Sequence, residues 1–309
     1  MKAAFFERFG GPDVLQYGDL PDPIATEGEV VVDVHAASVN AADWKFRGGQ
    51  YGRHAEVKFP QFPGRDFSGV VGALGSGVSD LRVGDAVFGV IAAGKEGTYA
   101  EKIAITAAIV AKKPERLSHV NAAALALTGL TAVNSIEDTL KLNRGETILI
   151  QGGAGGVAGF AIQFAKYLGA RVITTTSTAN VAYVRGLGAD EVIDYTKDDF
   201  TKVVKNCDAV FDTVGDDVAV KSFAVLRPGG RAAFIASGAQ PPKPERSDVT
   251  ALRPPVPRSR QAMERVAQLF TEGAVRPPEV KLYRLSQAAE AHRLSEARHF
   301  RGKLVFQVR

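Results

Sequence analysis

Hydrophobic and polar positions change rhythm along the chain. Up to about residue 117, short apolar runs (Val30 to Val34, Val70 to Leu74, Ala86 to Ile91) are punctuated by Gly, Pro and Asp, which predicts a β-rich lobe with irregular connections. From His119 to Asp138 the chain is Ala-rich and predicts helix, followed by a turn at Asn143 to Glu146 and a buried strand at Thr147 to Gln151. Strands and helices then alternate. Helix is predicted around Gly156 to Leu168, strand at Arg171 to Thr175, helix around Asn180 to Leu187 and strand at Glu191 to Ile193. Strand Asp208 to Phe211, a helix near Ala219 to Leu226 and strand Arg231 to Ile235 continue the series, which predicts a mostly parallel, doubly wound α/β sheet rather than hairpins.

The stretch Pro241 to Pro257 is charged and aperiodic and reads either as a surface loop or as a substrate lid. Helices at Ser259 to Phe270 and Gln287 to Ala297 precede an apolar strand, Lys303 to Val308, expected to return to the first lobe. The expected division is 1–122, 123–261 and 262–309.

At 309 residues the chain is long enough for a two-lobed enzyme with a sizeable core. Hydrophobic residues at 45% and charged residues at 23% exclude fibrous or largely disordered classes. A formal charge of +4, with acids interspersed among the bases, gives no reason to expect nucleic-acid binding. The single Cys207 excludes an internal disulfide and a cysteine-rich zinc site, and fits a reducing cytoplasm. The N-terminus lacks a secretory apolar region and no run of about twenty apolar residues follows, so no membrane insertion is expected.

The strongest local signal is ILIQGGAGGVAG, between a predicted strand and a predicted helix. Glycines here permit a tight turn and close approach of a pyrophosphate to the free N–H groups of a helix start. The spacing departs from the common GxGxxG, yet Gly152, Gly153, Ala154, Gly155, Gly156, Val157 and Ala158 keep the turn small, and the βαβ setting points to a dinucleotide. The next strand ends in VITTTST, Val172 to Thr178, where an acid would bind the ribose hydroxyl of NAD. No acid is present, so NADPH is the expected cofactor. Thr176 and Ser177 are candidate donors to its 2′-phosphate, or else part of a capped loop. Asn180 is a candidate helper, and Tyr195 either approaches the adenosine end or packs structurally.

Together with QGGAGGVAG, four segments, ASVNAADWKFRGG (Ala37 to Gly49), FPGRDFSGVV (Phe62 to Val71), LALTGLTA (Leu125 to Ala132) and DTVG (Asp212 to Gly215), and the terminal RGKLV resemble the zinc-independent quinone oxidoreductase branch of the medium-chain dehydrogenase/reductase family across nearly the whole chain. The resemblance implies a chaperonin-10-like, GroES-like catalytic lobe, an inserted Rossmann domain, and a homodimer formed through nucleotide-domain strand edges. Zinc-containing relatives place a Cys and a His where this chain has Asn40 and Arg65, so no metal is expected.

By the same resemblance Asn40, Asp43 and Tyr51 are the catalytic candidates. Asn40 is either an amide donor to a polarised oxygen or a loop hydrogen-bonding residue, Asp43 orients that network or caps a helix, and Tyr51 faces a quinone or packs on the surface. Thr128, Ala236, Ser237 and Gly238 are implied as nicotinamide contacts. Arg301, Gly302 and Lys303 are implied at the cofactor phosphate, or else solvate a strand start. Arg65 reads either as a site for an anionic substrate or as the partner of Asp66. The implied activity is NADPH-dependent hydride transfer to a small quinone or related α,β-unsaturated carbonyl compound. Reduction of an aldehyde or ketone, and a non-enzymatic NADPH-binding regulatory or structural role, are the alternatives.

Overall fold

The computed structural model describes residues 1–50, 57–92, 97–236, 240–298 and 300–309. The chain divides into two compact units, one of residues 1–127, 257–268 and 277–309, the other of 128–256 and 269–276.

The first unit begins with a hairpin of β1 (Lys2–Phe5) and β2 (Gln16–Asp19). It continues with β3 (Glu29–Ser38), α1 (Ala41–Arg47), β4 (Asp66–Leu74), β5 (Ala86–Val90), β6 (Lys102–Thr106) and β7 (Val110–Lys112). Helix α2 (His119–Val133) carries the chain out of this unit.

The second unit holds β8 (Thr147–Ile150), α3 (Gly156–Tyr167), β9 (Arg171–Thr176), α4 (Val181–Gly186), β10 (Glu191–Asp194) and α5 (Phe200–Val203). It also holds β11 (Cys207–Asp212), α6 (Asp216–Lys221), β12 (Leu226–Phe234) and β13 (Thr250–Leu252). After α7 (Arg260–Thr271), the chain re-enters the first unit as β14 (Val280–Tyr283), α8 (Ala288–Ala297) and β15 (Lys303–Gln307).

All strand pairs of the second unit are parallel, in the order β10-β9-β8-β11-β12-β13. The order reverses between β8 and β11, the position where open α/β sheets hold their ligands. Continuous apolar runs in β8 and β11 are buried, as the central strands of such a sheet require. Strand β13 corrects the reading of Pro241 to Pro257 as wholly irregular. Its three residues extend the sheet by pairing with Arg231, Ala232 and Ala233, too short a run to show periodicity.

The sheet of the first unit runs β14-β15-β3-β4-β5-β7, with β6 also on β3. Here β3 is the organising strand, because it pairs antiparallel with β4, β6 and β15. Its apolar side chains pack with Phe67, Val87, Tyr99, Leu304 and Phe306 in the core of this unit. The registers Val305↔Ser38 and Ala37↔Phe67 carry the C-terminal strand and the start of β4 to opposite sides of the end of β3. Lys303 and Asp66 therefore flank the turn at Val39 and Asn40. That placement is set by backbone pairing before any side chain acts.

Candidate active site and nucleotide loop

In the nucleotide-domain unit, Gly152 has φ +77, the left-handed region that favours glycine. A Cβ on Gly153 would stand 2.5 Å from Thr174 Oγ1, so the strand–helix turn has no room for one. Gly155 is the N-cap of α3 and no side chain caps this helix. The first-turn N–H groups at Gly156, Val157 and Ala158, with the positive end of a twelve-residue helix, suit an anion.

Around this loop a buried hydroxyl–amide lattice holds the backbone. Thr175 Oγ1 donates to Gln151 Oε1 at 2.6 Å and accepts from Gly152 N at 3.2 Å. Thr213 Oγ1 donates to Gln151 O, and Gln151 Nε2 reaches Ser222 Oγ. Thr176 is buried at the end of β9. The next residue, Ser177, accepts from Asn180 Nδ2 at 3.1 Å, so two of the residues predicted for a 2′-phosphate are brought together. Tyr195 is exposed beside them, its N–H on Thr176 O.

An acid does lie nearby, Asp194 at the end of β10. Both its oxygens are taken by Thr178 and Thr196, and those hydrogen bonds hold it down at about 2. Ala154 is buried in the loop, Thr128 is buried in α2, and Ala236 lies against Gly215, whose φ is +87. Ser237 and Gly238 lie outside the described residues. Cys207 is buried, and burial, with Asp208 beside it, pushes its thiol up to about 12.

In the first unit, Asn40 Nδ2 donates to Ser38 O at 3.2 Å and to Asp66 Oδ2 at 3.1 Å, while its Oδ1 accepts from Lys303 Nζ at 2.7 Å. Both amide protons are thus committed inside the protein, which moves Asn40 from the expected oxyanion donor to the centre of a fixed network. Asp66 also accepts from Ser38 N and Ser38 Oγ. Asp43 Oδ2 accepts from Asn40 N, the capping contact expected of it, and from Tyr99 OH, each at 2.8 Å.

Both carboxyls are fully buried. Burial raises each above the ordinary carboxylate value, opposed by Arg65 at Asp43 and by Lys303 at Asp66. Arg65 stands with Nε 3.9 Å from Asp43 Oδ1, so the expected pairing with Asp66 gives way to Asp43. Lys303 corrects the phosphate reading: its buried ammonium turns inward to Val39 O and Asn40 Oδ1. Tyr51 lies outside the described residues.

Sequence reasoning missed Tyr99, His292, Arg47 and Ser38. His292 contacts Tyr99 OH and Arg47, 193 and 245 residues away, distances at which spacing carries no signal. The apolar run of β3 and the helix that becomes α8 are visible in the sequence, but not which polar residues face each other across them.

Residues 26–115 match the alcohol dehydrogenase GroES-like domain and residues 187–306 match the zinc-binding dehydrogenase family. The chain is similar to an Arabidopsis thaliana chloroplastic protein named NADPH-dependent alkenal/one oxidoreductase, 32% identical over 317 residues, covering 99% of this chain and 79% of that protein. It belongs to the quinone oxidoreductase branch of the medium-chain dehydrogenase/reductase family.

A 2-methylene-furan-3-one reductase of Solanum lycopersicum is 36% identical over 78% of this chain; the match spans 64% of that protein's length. Among solved structures of this branch, the quinone oxidoreductase from Coxiella burnetii has a TM-score of 0.93 and 35% identity, covering 100% of this chain and 99% of that one. The Escherichia coli quinone oxidoreductase complexed with NADPH has a TM-score of 0.90 and 27% identity, covering 99% of this chain and 100% of that one.

The zinc in the matched family's description does not fit this chain. Among the described residues no group of three or more His, Cys, Asp or Glu is placed to hold a metal, and Arg65, where the resemblance puts a His in zinc-containing relatives, brings a guanidinium to 3.9 Å from Asp43. Among the described residues no helix is long and apolar enough to cross a membrane.

Proposed function

We propose that this chain is an NADPH-dependent, zinc-independent reductase of a small quinone or a related electron-poor enone. The observation that carries it is the uncapped α3 N-terminus behind a glycine turn with no room for a Cβ at Gly153, on the strand-order reversal of an all-parallel sheet. The relatives named for NADPH, quinones and alkenals support the cofactor and the acceptor class.

NADPH, when bound, supplies the hydride for the acceptor carbon. The chain's own part is to bind and hold. N–H groups at Gly156 and Val157 take the pyrophosphate, with Gly152 and Ala154 keeping the loop close to it. Ser177 and Asn180 take the 2′-phosphate, with Thr176 setting their backbone and Tyr195 beside them. Asp194 is withdrawn from any ribose role by Thr178 and Thr196. Thr128, Ala236, Ser237 and Gly238 remain the proposed nicotinamide contacts.

On the acceptor side, Asn40 and Asp43 hold the turn after β3, and Tyr51 supplies the proposed hydroxyl toward the acceptor oxygen. Water completes the protonation, because Asn40 has no amide proton left to give and Asp43 Oδ2 is engaged by Asn40 N and Tyr99. We place the protein in the cytoplasm as a homodimer paired through the edge of its parallel sheet, where β13 leaves one side of its backbone without a strand partner among the described residues.

The test is cofactor and product choice together. NADPH is expected to bind at least about tenfold more tightly than NADH, since a 2′-phosphate contact is worth a charged hydrogen bond. An enone is expected to lose its C=C and keep its C=O. Equal binding of NADPH and NADH contradicts the 2′-phosphate assignment, and an allylic alcohol as product moves the reaction to aldehyde or ketone reduction.

A further inference from the structure

The end of β3 lies between a buried anion and a buried cation. Asp66 opens the neighbouring strand on one side, and Lys303 opens β15 on the other. The side chain of Asn40 spans the two. Its Nδ2 lies 3.1 Å from Asp66 Oδ2 and its Oδ1 lies 2.7 Å from Lys303 Nζ. An amide has a positive and a negative end, and only one of its two flipped orientations satisfies both neighbours. In the other, NH2 would face an ammonium and oxygen would face a carboxylate. The backbone is held by the same cation, since Lys303 Nζ also donates to Val39 O at 2.7 Å, and Val39 N donates to Leu304 O.

We propose that Lys303 is a positioning residue for the reaction: from the C-terminal strand it fixes the orientation of the Asn40 amide and the backbone of the Val39–Asn40 turn. This rests on the reductase reading above. A lysine is costly to bury, and this one is 5% exposed. Burial lowers its affinity for its proton while Asp66 and Asp43 raise it. The tetrahedral ammonium reaches two oxygens of adjacent residues, which a guanidinium fork matches less well. The expected consequence of losing it is a turn that samples both amide orientations, with slower turnover and unchanged grip on the cofactor.

The experiment is a double-mutant cycle on Lys303→Met and Asn40→Ala, read by steady-state reduction of a soluble 1,4-quinone and by NADPH dissociation constants from fluorescence. Lys303→Met is expected to lower kcat by about tenfold or more while the NADPH Kd stays within about twofold, the pattern of an interaction needed in the transition state and not for cofactor binding. Lys303→Arg, which keeps charge and donors, recovers part of kcat. In the Asn40→Ala background the Lys303→Met change costs less than about threefold further, because the two residues act as one unit. If Lys303→Met does not fold, Lys303→Arg takes its place in the cycle.

Losses that multiply independently overturn the proposal, and so does an NADPH Kd raised about tenfold with kcat unchanged, which would return Lys303 to a phosphate contact. A wild type that binds NADPH and reduces no acceptor overturns the reductase reading and this one with it. A turning-over wild type with independent losses overturns this one alone.

Discussion

Arg47 and His292 meet inside the β-rich unit, with Arg47 Nη1 donating to His292 Nδ1 at 2.9 Å. A guanidinium only donates, so Nδ1 is the bare nitrogen and the imidazole proton sits on Nε2. From there the direction of each step is set: Nε2–H toward Tyr99 OH at 3.3 Å, and Tyr99 OH to Asp43 Oδ2 at 2.8 Å. Burial, with Arg47 beside it, pushes His292 down to about 3, so the imidazole stays neutral through the working range. Replacing His292 with Leu strands a buried guanidinium N–H and removes the donor to the Tyr99 oxygen, whose hydroxyl keeps its bond to Asp43. The expected cost is about 2–3 kcal/mol of unfolding free energy, measured by urea denaturation. A cost under about 0.5 kcal/mol, the size of an ordinary surface change, contradicts the chain.

A second histidine sets a pH dependence. Ser68 gives its proton to Val87 O and so accepts from His119 Nδ1 at 2.8 Å, while the ring of His35 lies 4.3 Å away. Burial first, then the neighbouring His35 and Lys113, push His119 down to about 4. Its folded value lies below its unfolded value of 6.5. The unfolded chain therefore takes up protons first, and the stability His119 contributes, full above pH 6.5, is lost as pH falls from there toward 4. The gap in Tm between wild type and His119→Asn is expected to shrink between pH 7.5 and pH 4.5, about one unit above and two below the ordinary histidine value. A gap that stays constant, or widens, contradicts this.

The glycine loop tolerates little. In Gly153→Ala the new Cβ meets Thr174 Oγ1, which is itself spent on Ile150 O at 2.6 Å and cannot turn away freely. The expected result is a loss of about 1–3 kcal/mol in stability together with weaker NADPH binding. Calorimetry and fluorescence titration read the two. Unchanged NADPH affinity at a lowered Tm would make the loop structural only.

Cys207 is expected to be inert. With the thiol buried and pushed up to about 12, the folded protein should leave a thiol reagent unreacted and lose no activity to iodoacetamide until it is denatured. Rapid native labelling with parallel inactivation contradicts that.

The nucleotide unit was legible because its signals are local: apolar runs of strand length, a glycine cluster after one of them, and no acid after the next. The series from Thr147 to Phe234 came out with strand ends within a few residues, apart from β12, which starts at Leu226. What escaped there were the four-residue helix α5 and β13, three residues held only by their neighbour. The first unit was legible as β-rich, with Asn40 and Asp43 picked out as candidates. It was not legible in how those residues are held, because Asp66, Tyr99, His292 and Lys303 reach them through strand register and helix packing that leave no periodic trace. The misplacement of Lys303 has the same origin: a charged residue at a strand start reads as solvated until the register Val305↔Ser38 turns it inward.

Metal-free reduction of a quinone by NADPH is the proposed reaction. It is tested most directly by anaerobic turnover with a soluble 1,4-quinone in excess chelator, following NADPH loss and hydroquinone formation together against a no-enzyme control. Enzyme-dependent loss of NADPH is expected, matched by hydroquinone and unaffected by the chelator. NADPH that binds without hydroquinone forming, or turnover that stops when metal is removed, contradicts it.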